Sequence, residues 1–200
     1  LLHYAVKANP MPAVVQHLAS LVDGMDVASA GEMRVALDTI LAPEKISFAG
    51  PGKKVHELRS AIAAGVTLNI ESPQEMESIA QQGMDLGIVP KVAIRINPDF
   101  ELKSSGIKMS GGSKPFGIDA ECVPDVLKRL DLLALDFVGF HIFSGSQNLH
   151  AAAIQEAHEK IVLLAIQLAE CAPSAVKLLN IGGGFGVPYF PGDRPLDIAA

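Results

Sequence analysis

Cysteine is scarce in this sequence. Cys122 and Cys171 are the only two in 200 residues, and they offer neither a metal-ligand spacing nor a disulfide framework. A reducing compartment such as the cytoplasm fits. Positive charge is also short: 16 Lys and Arg against 22 Asp and Glu give a net charge of −6. No Lys/Arg run offsets that balance, which argues against a nucleic-acid surface. Long hydrophobic runs are missing too. The longest apolar stretch, IVLLAIQLAECA at 161–172, is too short and too interrupted to span a membrane. No signal peptide, low-complexity linker or strong internal repeat is evident. The chain opens on Leu-Leu inside a strand pattern in place of methionine, as expected of a segment that starts within a longer protein.

What is present is ordinary globular material, 49% hydrophobic and 19% charged, enough for a sizeable core. Strand-like runs over 1–7, 24–29, 45–50, 66–71, 91–97, 136–143 and 176–182 alternate with helical patterns over 11–22, 30–40, 53–65, 72–83, 120–131 and 151–171. Several helices open at Ser or Asp and finish near Gly, as capping predicts. The strands read as mostly apolar, so both sheet faces are expected to be covered. Regular βα alternation means a parallel sheet with right-handed crossovers. Either an open doubly wound sheet or a closed barrel satisfies that pattern. The polar, glycine-rich stretch 97–119 is long for a loop, and such loops are usually functional or mobile.

The polar residues favour the barrel. Lys7, Asp26 with Ser29, Gly50, Glu71, Arg95 with Asn97, His141 with Ser144, and Gly182 all fall at or near the C-terminal end of a strand. In a parallel barrel those ends converge on one face, where active sites are built. An open sheet would concentrate ligands at one switch point between two or three strands. The expected fold is therefore α/β, an incomplete (β/α)8 TIM-type barrel with seven of its eight strands, forming a polar mouth above an apolar core.

Four motifs carry chemistry. In LNIGGGFG, Gly182, Gly183 and Gly184 follow a strand directly, and such a turn lets backbone N–H groups approach an anion. A plain tight βα turn is the alternative. The run is not G-x-G-x-x-G and no Walker lysine follows, so a single phosphate suits it better than a dinucleotide or nucleoside triphosphate. His141 in GFHIFSGSQN is followed by Ser144, Ser146, Gln147 and Asn148, which supply donors for an anion. Arg95 in AIRIN needs an anionic partner if buried: an internal salt bridge with Asp26 or Glu71, or a ligand. Lys7 in YAVKANP must be paired, exposed at the strand tip, or neutralised by chemistry. A lysine at the mouth, near a phosphate cradle and a planar ring, suits a Schiff base with a phosphorylated aldehyde cofactor. No metal site is expected.

YAVKAN, MDVAS, RINP, SKPFGI, HIFSGSQN and NIGGGFG occur here in order. Together they resemble the barrel domain of the fold-type III pyridoxal phosphate decarboxylases, the ornithine/diaminopimelate/arginine decarboxylase group. The resemblance runs from Tyr4 to Gly186. It implies pyridoxal 5'-phosphate as cofactor and an amino-acid substrate that loses its α-carboxylate. It implies that Lys7 carries the Schiff base, that His141 stacks on the cofactor ring, and that Ser144, Gly182, Gly183 and Gly184 bind the phosphate. Asp26 and Arg95 would line the pocket near the ring. It also implies a cytoplasmic homodimer, with the pyridine-nitrogen partner, a β-domain and a cysteine donated across the dimer all lying beyond Ala200. Residues 1–200 would then be the barrel fragment alone, without part of that machinery.

Where diaminopimelate enzymes show HIGSQ, this chain has HIFSGSQ, a variant similar to decarboxylases found with exosortase and exopolysaccharide systems. Two other functions share the barrel. A pyridoxal phosphate racemase or single-domain homeostasis protein is disfavoured by the 97–119 stretch and SKPFGI. A non-enzymatic member of the antizyme-inhibitor type is disfavoured because Lys7, His141, Ser144 and the glycines are all present.

Overall fold

The computed structural model describes residues 1–100 and 116–198. Its strands are β1 (His3–Ala5), β2 (Gly24–Val27), β3 (Ile46–Phe48), β4 (Thr67–Ile70), β5 (Lys91–Asn97), β6 (Ile118–Asp119), β7 (Asp136–Ile142) and β8 (Leu178–Asn180). The helices are α1 (Pro12–Ala19), α2 (Ala30–Leu37), α3 (Val55–Ala64), α4 (Pro73–Leu86), α5 (Val123–Leu130) and α6 (Ala151–Ala169). All strand pairings are parallel. The order β1-β2-β3-β4-β5-β7-β8 follows the chain without reversal, whereas a doubly wound sheet reverses at its switch point.

The sheet is also curled. Asn180 on β8 donates from Nδ2 to Asp26 Oδ2 on β2 at 3.1 Å. In a flat sheet the five intervening strand spacings would separate them by about 24 Å. These strands therefore form an incomplete barrel, as expected. The two-residue β6 was not expected. It pairs with β5 at Ile96 and Asn97, just beyond the last β4 partner of β5, Ile94. The central part of the 97–119 stretch, including Ser113, Lys114 and Pro115 of SKPFGI, lies outside the described residues.

Local chemistry sets the helix ends. Ser29 and Ser72 cap α2 and α4 by accepting from the backbone N–H of Glu32 and Glu75, each at 3.2 Å. Those two glutamates reach back to the N–H of Ala28 and Glu71, closing the cap reciprocally. Gly65 and Gly87 end α3 and α4 in the left-handed conformation, which places the last carbonyls for capping.

The strands alternate more strictly than their sequence suggests. Met25 and Val27, Ile46 and Phe48, Leu68 and Ile70, Ile94 and Ile96, and Phe140 and Ile142 are buried. They join Val15, Met33, Leu58, Met76, Ile79, Leu127 and Ile161 of the helices in one apolar core. The intervening positions carry Asp26, Ser47, Asn69, Arg95, His141 and Asn180. Period-2 geometry sends this second set to the opposite, inner face. The apolar core thus lies between sheet and helices, and the inside of the curled sheet is polar at this level. The expected polar strand ends and apolar core are both present, and the core is the layer between sheet and helices.

Candidate active site

The inner face begins with a chain of hydrogen bonds centred on Asp26. Ser47 donates to Asp26 Oδ1 at 2.6 Å, Asn69 donates to Ser47 at 3.3 Å, and His3 Nδ1 lies 3.1 Å from Asp26 Oδ1. Burial pushes the Asp26 carboxyl up, but the hydrogen bonds from His3, Ser47 and Asn180 outweigh it and hold the group below the usual carboxylate range. Asp26 is thus an anion already held by three side chains.

A second cluster is built on Glu71, directly after β4. Its carboxylate accepts from Arg95 Nη1 at 2.8 Å, from the Gly117 N–H at 2.9 Å, and from the Gly50 N–H. Of the two internal partners the sequence allowed Arg95, the structure uses Glu71. Arg95 also lies 5.0 Å from the centroid of the Phe116 ring. Beside this pair is a residue that sequence reasoning missed. The Lys53 side chain is 1% exposed and lies 3.0 Å from Glu75. It also donates to the carbonyls of Gly50 and Asn69 at 2.6 and 2.9 Å. Burial pulls Lys53 down and pushes Glu75 up, each only partly offset by the other's charge. In sequence, Lys53 opens the helical pattern over 53–65, and no local signal marks its burial.

The remaining candidates are less committed. Lys7 is exposed, on a 3-10 turn (Val6–Ala8) that follows β1. The sequence placed it on the strand itself; β1 ends at Ala5, and Val6 turns into the core instead. Lys7 makes no hydrogen bond or ion pair among the described residues. His141 lies beside Arg95 and Asn180 in the strand register. Its Nδ1 is buried without a hydrogen-bond partner. Burial and the nearby Arg95 charge pull its imidazole down to about 4, with a further lowering from Lys7, against the opposing pull of Asp26 and Glu71. The ring is neutral near pH 7.

The two anion-binding motifs meet. Ser144, Gly145, Ser146, Asn148, Gly183 and Gly184 line one small cavity, floored by Ile154, Ala157 and His158 of α6. The loop after β7 is zipped to the glycine turn. Asn148 N–H donates to the Gly184 carbonyl, Gly186 N–H donates to the Asn148 carbonyl, both at 2.8 Å, and Gln147 pairs with Val187. Glycine is required at Gly184, where φ is +112° and a Cβ would lie 2.8 Å from the Gly145 carbonyl oxygen. A Cβ on Gly183 would meet nothing within 4 Å. The N–H of Gly182 is taken by the Asn180 side chain at 2.8 Å. Those of Gly183 and Gly184 have no partner among the described residues. Asn180 is the second residue missed: it is the last residue of β8, two residues before the first glycine, and the glycine run overshadows it in the sequence.

Comparison with known proteins gives these features a context. Residues 1–200 match the family model described as pyridoxal-dependent decarboxylase, pyridoxal binding domain. An L-glutamyl-[BtrI acyl-carrier protein] decarboxylase from Niallia circulans is 38% identical, covering 91% of this chain and 44% of the relative. A diaminopimelate decarboxylase from Aquifex aeolicus is 37% identical, covering 100% of this chain and 49% of the relative. The crystal structure of diaminopimelate decarboxylase from M. jannaschii with L-lysine superposes with a TM-score of 0.86 at 31% identity, covering 96% of this chain and 45% of that one. The chain thus spans about half the length of the proteins it matches.

Proposed function

This chain belongs to the pyridoxal-dependent decarboxylases through their pyridoxal binding domain, and on that premise we propose that it forms the cofactor-binding barrel of an amino-acid α-decarboxylase. The family's cofactor, pyridoxal phosphate, fits the residues present. The unpartnered Nδ1 of His141 is an orphaned polar atom on the inner face. The turn at Gly183 has room for an anion and free N–H groups to meet it. Ser144, Gly183 and Gly184 would hold the phosphate, with Gly182 shaping the turn, and Lys7 would hold the aldehyde end through Nζ. When bound, the cofactor supplies an electron-withdrawing ring that stabilises negative charge at the substrate α-carbon.

The chain's own residues supply placement and electrostatics. His141 offers a neutral planar ring, and its neutrality follows from burial and from Arg95 beside it. A neutral imidazole can lie against an electron-poor ring without charge repulsion. Placed so, His141 would cover one side of the cofactor site and leave the other side for the substrate. Arg95, tied to Glu71, and Asp26, tied to His3, Ser47 and Asn180, frame the pocket as fixed charges. Fixed charges need not reorganise when charge moves in the substrate. The observation that supports this reading is the single small cavity lined both by Ser144, in the loop after β7, and by Gly183 and Gly184 of the glycine turn.

We further infer that residues 1–200 are one domain of a two-domain homodimer that works in the cytoplasm. The half-length coverage of relatives supports the domain reading. Cys122 and Cys171 are free and exposed, which suits a reducing compartment. No helix of the described residues is long and apolar enough to cross a membrane.

The test is release of carbon dioxide by the full-length protein from a panel of free amino acids, with diaminopimelate and a carrier-protein-linked glutamate included. Stoichiometric carbon dioxide with retention of the amine supports the proposal. Exchange of the α-proton and loss of optical activity without carbon dioxide would replace it with a racemase.

A further inference from the structure

We propose that Asn180 is a positioning residue that couples the Asp26 carboxylate to the phosphate-holding glycine turn. The inference rests on the reading of that turn as the phosphate cradle. Asn180 stands at the end of β8, two residues before the first glycine, Gly182. Its two polar atoms face different ways: Nδ2 donates to Asp26 Oδ2 at 3.1 Å, and Oδ1 accepts from Gly182 N–H at 2.8 Å. Gly182 is held at φ +73°, packed against the Phe143 ring.

An amide suits this position because of its inventory of donors and acceptors. Ionised Asp26 only accepts, and the Gly182 N–H only donates. A side chain bridging them must offer a donor and an acceptor on two separate atoms that face different ways, as the amide of Asn does without protonation. Asp26 is itself fixed by His3 and Ser47, so the bridge anchors the turn to β1, β2 and β3 across the inside of the sheet. The Gly182 N–H is spent on this bridge. Gly183 and Gly184, whose N–H groups have no partner among the described residues, line the cavity with Ser144, and the bridge fixes their turn before any anion arrives.

The inference separates phosphate recognition from recognition of the rest of the cofactor. In the full-length protein, Asn180→Ala should weaken pyridoxal phosphate binding about tenfold, the equivalent of one charge-assisted hydrogen bond's worth of preorganisation. Affinity for phosphate-free pyridoxal should change less than about twofold. Both are read by absorbance titration, and folding is checked by a circular dichroism melt.

Asn180→Asp provides an independent arm. At neutral pH the new carboxylate still accepts from Gly182 but faces Asp26, with His3 against the other Asp26 oxygen and His141 on the adjacent strand as the remaining titratable groups. Two carboxylates so close share a proton on acidification, and a protonated carboxyl can donate and accept like the amide. Pyridoxal phosphate affinity of this variant should therefore recover between pH 7.5 and 5.5, relative to wild type measured at each pH.

Equal loss of pyridoxal and pyridoxal phosphate binding, or no loss of either, in folded variants overturns the coupling. So does an Asn180→Asp deficit that is independent of pH. If the wild-type protein binds pyridoxal as tightly as pyridoxal phosphate, the cradle reading fails first, and the coupling falls with it.

Discussion

The polar inner face has two unlike halves. From β2 to β5 the charged and amide groups are consumed by one another: Asp26 by Ser47, His3 and Asn180, Glu71 by Arg95 and two backbone N–H groups, and Lys53 by Glu75 and two carbonyls. Around β1, β7 and the glycine turn they stand open. Lys7 is exposed, His141 Nδ1 lacks a partner, and Gly183 and Gly184 present bare N–H groups. Buried polar groups are normally satisfied, so the two halves answer to different demands. The first half is a polar frame that would be as well ordered without a ligand. The second carries the unmet hydrogen-bonding capacity that a ligand would complete.

Removing Glu71 should break the frame and produce the largest effect on stability. Its side chain is 2% exposed, and Glu71→Ala would leave the Arg95 guanidinium and two backbone donors without their acceptor. Breaking a buried pair in this way costs about 3–5 kcal/mol. Urea unfolding of the full-length apoprotein measures it. A loss under about 1 kcal/mol, the scale of an exposed pair, would show that the frame is no more structural than the surface.

Protonation probes the open half with a smaller effect. His141 has its folded pKa pulled to about 4, below the ordinary value of 6.5. As pH falls, the unfolded chain takes up this proton first. The stabilisation is therefore complete above pH 6.5 and is lost progressively as pH falls towards 4. The full loss is on the order of 3 kcal/mol. Asp26, also lowered, loses its share only at still lower pH, below the ordinary carboxylate range. Melting wild type and His141→Phe apoprotein across this range isolates the histidine. The difference between them should grow on acidification above pH 4, and parallel curves would mean that the ring is free to take its proton in the folded state.

How far the sequence reveals this division depends on the residue. Strand order, helix caps and the meeting of the LNIGGGFG and HIFSGSQN motifs follow from local periodicity and turn chemistry, and all were legible. So was the choice facing Arg95, although not its answer, because Asp26 is taken by residues from β1, β3 and β8 that only the fold brings together. Lys53 was illegible for the same reason: its burial comes from Gly50, Asn69 and Glu75, none of which marks it in sequence. The strands read as mostly apolar, without clear alternation, because Ser, Thr and Asn between aliphatic residues dilute alternation without abolishing it. β6 is too short for any periodicity to register.

Lys7 gives the sharpest contrast, because its expected effect on stability is the smallest and its effect on cofactor attachment is total. It is exposed and makes no hydrogen bond or ion pair among the described residues. Its ammonium also helps to lower the His141 pKa, which favours the neutral ring without any direct contact between the two. Lys7→Ala should therefore shift apoprotein stability by no more than about 0.5 kcal/mol, the range of surface substitutions. In the loaded full-length protein, borohydride should fix the cofactor to Lys7 and to no other lysine, as read by peptide mass. Lys53, the buried lysine beside the Glu71–Arg95 pair, is spent on Glu75 and two carbonyls and should remain unlabelled. Lys7→Arg should lose attachment as completely as Lys7→Ala, because a guanidinium is effectively always protonated and cannot serve as the attacking amine. Label on Lys53 in the wild-type protein, or label that survives Lys7→Ala, would reverse the assignment of the two halves.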